Sequence, residues 1–289
     1  MATRFSSNAR APADLKYSLI LLWLALPLLT SALAHSDALT QPKPLWELGL
    51  GVVSLHRPDY VGADEETLYV LPFPAIIYRG DWLKADDDGI QGLLFNSERW
   101  EFDISGGGSL PVNSEDNSAR EGMDDLDPAF ELGPALTYKW TLESPHRITS
   151  HVKMRALISI GDSGMRYQGW VLNPELRWEF QQSAPLRWGA TLEALYGSAD
   201  YHGFFHNVTA EFATPQRPVY NADAGYGGTA LAGFVRWRPN ADWTLFSGVT
   251  YHHLGGVSFD DGPLFRQKYG VYLNFGFSKT LFRSRTLVR

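Results

Sequence analysis

The feature that most constrains the fold of this chain is an alternation of apolar and polar residues along most of its length. In one segment Trp100, Phe102 and Ile104 interleave with Glu101 and Asp103. Successive side chains of a β-strand point to opposite faces, so such a segment predicts a strand with one apolar and one polar face. The same pattern recurs at residues 130–140, 148–160, 170–180, 186–196 and 269–277. The chain is therefore predicted to be all-β.

Two all-β architectures share this pattern. A soluble sandwich turns its apolar faces inward on strands of about 5–6 residues, whereas a membrane barrel turns them towards lipid on strands of about 9–11 residues. Several segments here are longer, and their polar faces carry charges such as Arg155, Glu175 and Arg177. Aromatic residues near the segment ends are typical of interfacial girdles; they are Trp140, Trp178, Phe180, Trp188, Trp237 and Trp243. A transmembrane antiparallel β-barrel is favoured, and a secreted soluble sandwich is the alternative.

The connections between segments predict how many strands there are. Short connectors fall at residues 79–81, 96–98, 141–146, 181–185 and 239–242, and longer ones fall at 55–67, 108–126, 199–227 and 255–267. Bacterial barrels have short periplasmic turns and longer extracellular loops. An Asp-Gly pair within 86–89 indicates one further hairpin with short strands, which gives twelve strands; without it there would be eleven. Pro72 and Pro74 argue against a regular second strand, because proline cannot donate to a ladder.

The first 34 residues have the features of a secretory signal peptide. Three basic residues precede an apolar run at 19–29, and the segment ends in Ala32-Leu33-Ala34. Cleavage after Ala34 would leave a domain at 35–289, with the barrel at about 45–282 and a tail at 283–289. An uncleaved anchor is the alternative, but the run is shorter than the roughly 20 residues needed to span a membrane, and Pro27 interrupts it. The expected location is the outer membrane of a Gram-negative bacterium.

Charge and cysteine content exclude several functions. The chain has 25 basic and 32 acidic residues, a net charge of −7. Removing three bases and one acid with the signal peptide leaves 22 and 31, or −9. An acidic chain is a poor partner for nucleic acid. The absence of cysteine excludes disulfides, thiolate zinc sites and cysteine nucleophiles. The expected surroundings are outer-membrane lipid and lipopolysaccharide.

Histidines and a serine are the candidates for catalysis, because some outer-membrane barrels hydrolyse lipids with Ser and His. They are His202, His206, His252, His253 and Ser258. His252 and His253 are adjacent on a predicted strand and point to opposite faces, so they cannot share one role. Neither a G-x-S-x-G elbow nor an H-E-x-x-H motif is present. We therefore assign no catalytic residue and expect a non-enzymatic protein.

Acidic and glycine-rich segments are further candidates for ligand sites. Residues 114–127 carry six carboxylates against Arg120, without the spacing of an EF-hand. A solvated acidic loop is the favoured interpretation, and binding of the divalent cations that bridge lipopolysaccharide is the alternative. The acidic run 86–88 is interpreted in the same way. Glycines 106–108 lack a following helix signal and indicate a strand end or bulge, not a phosphate loop. No metal or cofactor site is predicted.

Several sequence blocks resemble one known family. They read RPDYVGAD at 57–64, LPFP at 71–74, YRG at 78–80 and DYHGFFHNVT at 200–209, followed by residues 220–225. In this order they resemble the signatures of the MltA-interacting protein/OmpV family, over roughly residues 45–282. The chain departs from the family where His206-Asn207 replaces the usual glycine after the Phe-Phe pair. It also continues seven residues beyond Phe282, whereas such barrels usually end on an aromatic residue.

The resemblance implies an outer-membrane barrel. The founding member of the family is regarded as a scaffold that links a murein-degrading lytic transglycosylase to a murein-synthesising penicillin-binding protein. Other members are treated as outer-membrane proteins of osmotic or antibiotic response. The family has no agreed catalytic residues to carry over. Two alternatives stay open: a lipid hydrolase, and a porin-like channel for small solutes, whose candidate lumen residues are Lys153, Arg155, Glu175, Arg177 and Glu193.

Overall fold

The computed structural model describes residues 42–80, 82–86, 89–181 and 185–288, together with the backbone of Thr3–Phe5. Thr3–Phe5 forms a short strand against residues 68–70. The remainder of the predicted signal peptide lies outside the described residues, so its cleavage stays a prediction. None of the helices in the described ranges is long and apolar enough to cross a membrane.

The described residues form a barrel of twelve antiparallel strands, which confirms the predicted fold and strand count. Each strand pairs with the next along the chain, and the last pairs with the first, so the sheet is closed. The strands are β1 (Trp46–Pro58), β2 (Glu66–Arg79), β3 (Leu83–Asp86), β4 (Gly89–Asn96), β5 (Trp100–Ser109), β6 (Ala129–Lys139), β7 (His146–Gly161), β8 (Gly164–Phe180), β9 (Leu186–Gly197), β10 (Gly225–Trp237), β11 (Trp243–His253) and β12 (Tyr269–Arg283).

The apolar face of each strand points outward. On β7, Val152, Met154 and Ile160 are 46%, 50% and 45% exposed, whereas Leu157 and Ser159 are fully buried. A soluble sandwich would have the reverse arrangement, so that alternative is wrong. The outward side chains form the lipid-facing belt of a membrane barrel.

Aromatic rings gather at the end of the barrel that carries the short turns. The ring centroids of Trp100 and Tyr138 are 4.7 Å apart, and those of Tyr138 and Trp140 are 4.8 Å apart. Trp178 and Trp188 contact each other at 4.9 Å. These rings lie where the sequence predicts an interfacial girdle, at the boundary between lipid and water.

The predicted hairpin at residues 86–89 is present, and its strands are short as expected. Asp86 pairs with Gly89 at the end of the ladder between the two strands. Strand β3 has four residues and pairs with β2 only at Tyr78 and Arg79. This hairpin brings the strand count to twelve.

The short hairpin also explains how β2 tolerates two prolines. Pro72 and Pro74 lie in register with β1. Among the described residues, no strand pairs with 71–77 on the other side of β2. Because proline lacks an N–H, it is tolerated where one side of a strand has no ladder partner. The strand therefore runs unbroken over Glu66–Arg79.

The two ends of the barrel differ. The end that carries Lys43–Pro44 and Leu287–Val288 has short connections, at 80–82, 97–99, 140–145, 181–185 and 238–242, and the opposite end carries the long loops at 59–65, 110–128, 198–224 and 254–268. These are the predicted periplasmic and extracellular ends. Strand β12 continues one residue past Phe282. The tail then folds back, because Leu287–Val288 pairs with Lys43–Pro44.

Candidate functional sites in the outer loops and the lumen

The four long outer loops pack together into one layer, which we call the cap (residues 59–65, 110–128, 198–224 and 254–268). Loops normally run over a protein surface, but these loops share a buried apolar cluster to which all four contribute. Its members are Tyr60, Ala63, Val112, Ala119, Leu126, Val208 and Leu264. The cap therefore has a hydrophobic core of its own, above the strands at the outer mouth of the barrel.

Two of the blocks that resemble the family, 57–64 and 200–209, meet inside the cap. Tyr60 belongs to the first block and His206 to the second, and their rings pack edge to face with centroids 5.7 Å apart. The Tyr60 hydroxyl donates a 2.8 Å hydrogen bond to the carbonyl of Leu264. Burial raises the pKa of this hydroxyl well above its ordinary range, so Tyr60 stays a neutral donor. Two of the blocks that carry the resemblance therefore help to assemble the cap, whereas the blocks at 71–74 and 78–80 belong to strand β2 or follow it directly.

Two buried arginines tie the cap loops together through backbone carbonyls. Arg120 donates to the carbonyls of Asp124 and Phe205 at 3.0 and 3.2 Å. Arg217 donates to two carbonyls of the segment 119–121, at 3.0 Å each. Burial lowers the pKa of Arg120. These hydrogen bonds link the loop at 110–128 to the loop at 198–224, and a hydrogen bond that involves a charged group contributes about 1.5–3 kcal/mol.

The acidic loop is one face of this folded layer. Its carboxylates at 115, 116, 121, 124 and 125 are exposed, as predicted for a solvated loop, whereas Ser114 and Asn117 between them are fully buried. Asn117 donates a 2.9 Å hydrogen bond to Asp59. Among the described residues, no group of three or more His, Asp or Glu side chains is arranged to hold a metal ion.

A short helix, α1 (Ala199–His206), anchors the cap to the barrel wall. Ser198 caps its first turn by accepting a hydrogen bond from the N–H of Tyr201. The Tyr201 hydroxyl donates a 3.2 Å hydrogen bond to Glu131 on β6. The first turn passes close to Gly169, which has a φ of +101° at an irregularity in β8. A Cβ there would overlap the backbone nitrogen of Tyr201, so only glycine fits.

The paired histidines of β11 face opposite sides, as predicted. The ring of His252 packs on Tyr272 with centroids 4.2 Å apart, and that of His253 packs on Tyr269 at 5.6 Å. Tyr272 is partly buried and Tyr269 is exposed. The two imidazoles therefore contribute to different surfaces of the barrel.

Ser258 and His202 each bond to a backbone carbonyl. The Ser258 hydroxyl donates to the carbonyl of Asp223 at 3.1 Å. Nε2 of His202 lies 3.2 Å from the carbonyl of Gly225 and donates to it. A serine hydrolase needs its nucleophile within hydrogen-bond reach of its base. No hydrogen bond between Ser258 and a histidine is found in the described part of the chain.

His206 is a buried, neutral residue of the cap. Its ring stacks on Phe259 with centroids 3.9 Å apart and is 1% exposed. Burial, with smaller effects from His202 and Arg120, lowers the pKa of His206 to about 3. Its Nδ1 is buried with no hydrogen-bond partner among the described residues. Burial also lowers the pKa of His202.

A second candidate site is a polar cavity of about 270 Å³ inside the half of the barrel that carries the short turns, lined by residues of β3 and of β5 to β9. The lining includes the carboxylates of Glu101, Asp103 and Glu179. Its cationic side chains are Lys84, Lys139, Arg147, Lys153, Arg155, Arg177 and Arg187. In a chain of net negative charge, this lining is locally basic.

Two of the lumen cations predicted from the sequence form ion pairs across neighbouring strands. Lys153 on β7 lies 2.6 Å from Glu175 on β8, and Arg155 lies 3.1 Å from Glu131 on β6. Glu193 is paired in register with Glu175, so it lies on the same face. Glycines 106–108 end β5, as predicted, and a Cβ at Gly107 would overlap the Arg155 guanidinium.

The closed barrel, its lipid-facing belt and its aromatic girdle define an outer-membrane β-barrel protein. Residues 48–281 match the family described as MltA-interacting protein MipA. The chain belongs to this family, which confirms the resemblance seen in its sequence. A comparison with curated proteins found no match.

Solved structures similar to this chain are outer-membrane barrels. An outer-membrane channel from Pseudomonas putida F1 has a TM-score of 0.44 and 13% identity, covering 86% of this chain and 100% of its own. The NanC porin has a TM-score of 0.40 and 10% identity, covering 80% and 100%. The CymD monoaromatic hydrocarbon channel has a TM-score of 0.38 and 12% identity, covering 83% and 90%.

Proposed function

We propose that this protein is a non-enzymatic scaffold that holds murein-processing enzymes at the periplasmic face of the outer membrane. The description of its family names an interaction with MltA, and the first partner proposed is therefore a lytic transglycosylase. A penicillin-binding protein is the second. The lipid-facing belt contacts outer-membrane lipid, and the exposed surface of the cap contacts lipopolysaccharide.

The observation that carries this proposal is the cap. Its buried core draws on all four outer loops, and buried arginines bond those loops to one another. Such a layer across the outer mouth hinders free diffusion through the lumen, whereas binding at the periplasmic end does not require an open mouth.

The periplasmic end supports docking because it is held in one shape. Glu47 pairs with Arg79 at 2.6 Å and with Arg283 at 3.3 Å. Arg283 also pairs with Asp242 at 2.7 Å, which ties β12 to the neighbouring turn. Together with the small sheet of Lys43–Pro44 and Leu287–Val288, these contacts offer a preorganised surface.

Co-purification from outer membranes in mild detergent tests the scaffold. We expect a tagged chain to recover the lytic transglycosylase and the penicillin-binding protein, and a chain truncated after Ser284 to recover much less. Glu211→Gln, an exposed change in the outer cap, is the control and should recover both. Equal recovery with the full chain, the truncated chain and an unrelated barrel would refute the proposal.

A channel for small solutes is the second candidate, and the polar cavity in the lumen favours it. Planar-bilayer recording of the purified chain separates the two functions. If the protein is a scaffold whose outer mouth is covered by the cap, the native chain should show no steady conductance. A steady conductance of the native chain, unchanged when the cap is loosened by Tyr60→Ala, would favour the channel.

A further inference from the structure

The barrel wall is incomplete beside the short hairpin of β3 and β4. Strand β2 pairs with β3 only at Tyr78 and Arg79, and the pairing of β5 with β4 ends at Ile104. Among the described residues, no strand pairs with 71–77 of β2 on this side, or with 105–109 of β5 on the side that faces β2. We call the space between these two segments the gap.

The gap is continuous with the lipid-facing belt on its outside and with the lumen cavity on its inside. The Tyr69 hydroxyl bounds its outer end by donating a 3.3 Å hydrogen bond to the carbonyl of Pro111. Ser105 and Gly106, on the β5 side of the gap, line the polar cavity, and so does Lys84 on the neighbouring hairpin. A molecule in the surrounding lipid can therefore reach the cavity sideways, without crossing the cap.

The β2 side of the gap does not suit an added β-strand. The N–H of Arg79 donates to the carbonyl of Leu45, towards β1, and the direction of the backbone groups alternates along an antiparallel strand. Even-numbered residues of β2 therefore face the gap, and they include Pro72 and Pro74. Within this segment only Ile76 supplies an N–H to the gap. Because edge prolines prevent further strand pairing, the occupant of the gap is not another β-strand.

The β5 side of the gap presents backbone without side chains. Gly106, Gly107 and Gly108 are exposed, and a ligand can approach the backbone of a glycine closely. Backbone groups that lack a ladder partner are costly to leave in contact with hydrocarbon alone. The gap therefore suits the polar part of a molecule whose apolar part lies in the surrounding lipid.

The cavity behind the gap offers partners of both charges. Asp103 on β5 lines it and is 2% exposed. The Oδ1 atom of Asp103 has no hydrogen-bond partner in the described part of the chain, and a buried acceptor without a partner is costly. Lys84 lines the same cavity. A cluster at Glu179, on strands β7 to β9, adds three arginines, which are Arg147, Arg177 and Arg187. Such a lining does not suit an apolar molecule.

We propose that the gap admits a zwitterionic glycerophospholipid from the membrane, with its headgroup in the cavity and its acyl chains in the surrounding lipid. The headgroup ammonium donates to Asp103, and the phosphate pairs with Lys84. At about 270 Å³ the cavity is slightly smaller than the roughly 300–1,000 Å³ of pockets that enclose drug-sized ligands, so it fits a headgroup and not a whole lipid. The proposal is independent of the scaffold function, because it concerns the wall and not the docking surface.

Native mass spectrometry tests the site. The protein is purified from outer membranes, stripped of lipid in detergent, and transferred to micelles that contain equal amounts of phosphatidylethanolamine and phosphatidylglycerol. We expect one phosphatidylethanolamine to stay bound and about tenfold less phosphatidylglycerol, because the glycerol headgroup has no ammonium for Asp103. A native chain that retains neither lipid, or retains both equally, refutes the proposal.

Two variants with matched controls locate the bound lipid. Asp103→Asn should remove the preference for phosphatidylethanolamine, whereas Asp162→Asn, the same change at an exposed outer turn, should keep it. Gly106→Trp adds bulk beside the gap, where a Cβ would meet only the carbonyl oxygen of Glu131, at 3.7 Å. This variant should retain about tenfold less lipid. Leu192→Trp, at a lipid-facing position that is 50% exposed, should retain as much as the native chain.

The comparison of variants with controls decides the outcome. Equal retention by Gly106→Trp and the native chain would mean that the lipid is bound to the outer belt, and would overturn the proposal. An unchanged lipid preference in Asp103→Asn also overturns it. If Gly106→Trp does not fold, as judged by its heat-modifiable gel mobility, Asp103→Asn decides alone: loss of the preference supports the site, and an unchanged preference refutes it.

Discussion

The cap and the lumen belong to one barrel and are built in opposite ways. The interior of the cap is apolar, with Ala63 and Leu264 fully buried, and its buried arginines bond to neutral backbone carbonyls. The interior of the lumen is charged, and residues such as Lys153 and Glu175 satisfy each other there. Strands whose alternate residues face lipid turn their polar face inward, whereas loops have no such alternation and can bury apolar side chains together. One membrane barrel can therefore have an apolar interior at its outer mouth and a charged interior in its lumen.

Tyr60→Ala should destabilise the cap and leave the strands of the barrel wall folded. The change removes a ring that is 1% exposed and leaves the carbonyl of Leu264 without its donor, so we expect a loss of about 3–5 kcal/mol in cap stability. Hydrogen exchange of the loop amides measures it. Val219→Ala is the control, because Val219 is 54% exposed. An equal loss of protection in the strands would show that cap and wall unfold as one unit.

Acid should loosen the cap through His206. Its pKa is about 3 in the folded cap and about 6.5 in an open one, so the open state binds more protons between these values. Cap stability is then lost as pH falls below about 6.5, by about 2 kcal/mol at pH 5. Hydrogen exchange of the cap amides at pH 7.5 and 5, corrected for the intrinsic rate, measures this loss. His206→Phe should flatten the dependence, and an unchanged slope in that variant would mean that other groups are responsible.

Gly169→Ala should disrupt the packing of helix α1 against strand β8. Gly169 and Gly164 both have positive φ, at +101° and +91°, but a Cβ at Gly164 meets nothing within 4 Å, whereas one at Gly169 overlaps α1. Both variants carry a backbone penalty of about 1 kcal/mol, and Gly169→Ala should cost about 1–2 kcal/mol more. Protease sensitivity of the loop 198–224 reports the difference. Equal sensitivity in both variants would mean that α1 shifts without loss.

Arg283→Gln should have the smallest effect. Its guanidinium pairs with Glu47 and Asp242, but the partner Asp242 is 51% exposed. Exposed ion pairs contribute at most about 1 kcal/mol, so urea unfolding of the barrel should change by no more than that. The cap should keep its full hydrogen-exchange protection. A larger loss would show that the periplasmic end, and not the girdle and belt, limits barrel stability.

Most strands of the barrel wall could be predicted from the sequence. Few of the contacts that form the candidate sites could be predicted from it. The alternation at 100–104 and 148–160 marks strands because it depends only on neighbouring residues. The Asp-Gly signal places the hairpin at Asp86 and Gly89 for the same reason. The acidic loop was predicted to be solvated, and its carboxylates are, but its buried neighbours Ser114 and Asn117 give no local signal. The cluster at Glu179 was also missed, because its arginines come from three strands and no motif links them.

The sequence by itself determined an all-β chain with one apolar and one polar face per strand and long loops at one end, because an alternation with period two is a local property of the chain. It favoured a membrane barrel of twelve strands over a sandwich and over eleven strands, and the closed sheet decided both. The tertiary structure alone decided that the long loops build a common core and that three arginines converge on one carboxylate. Tyr60 meets His206, and Arg147 meets Glu179, only after the sheet has closed. Contacts between residues far apart in the chain form only when the sheet has closed and the loops have packed, and the alternation within a single strand does not specify them.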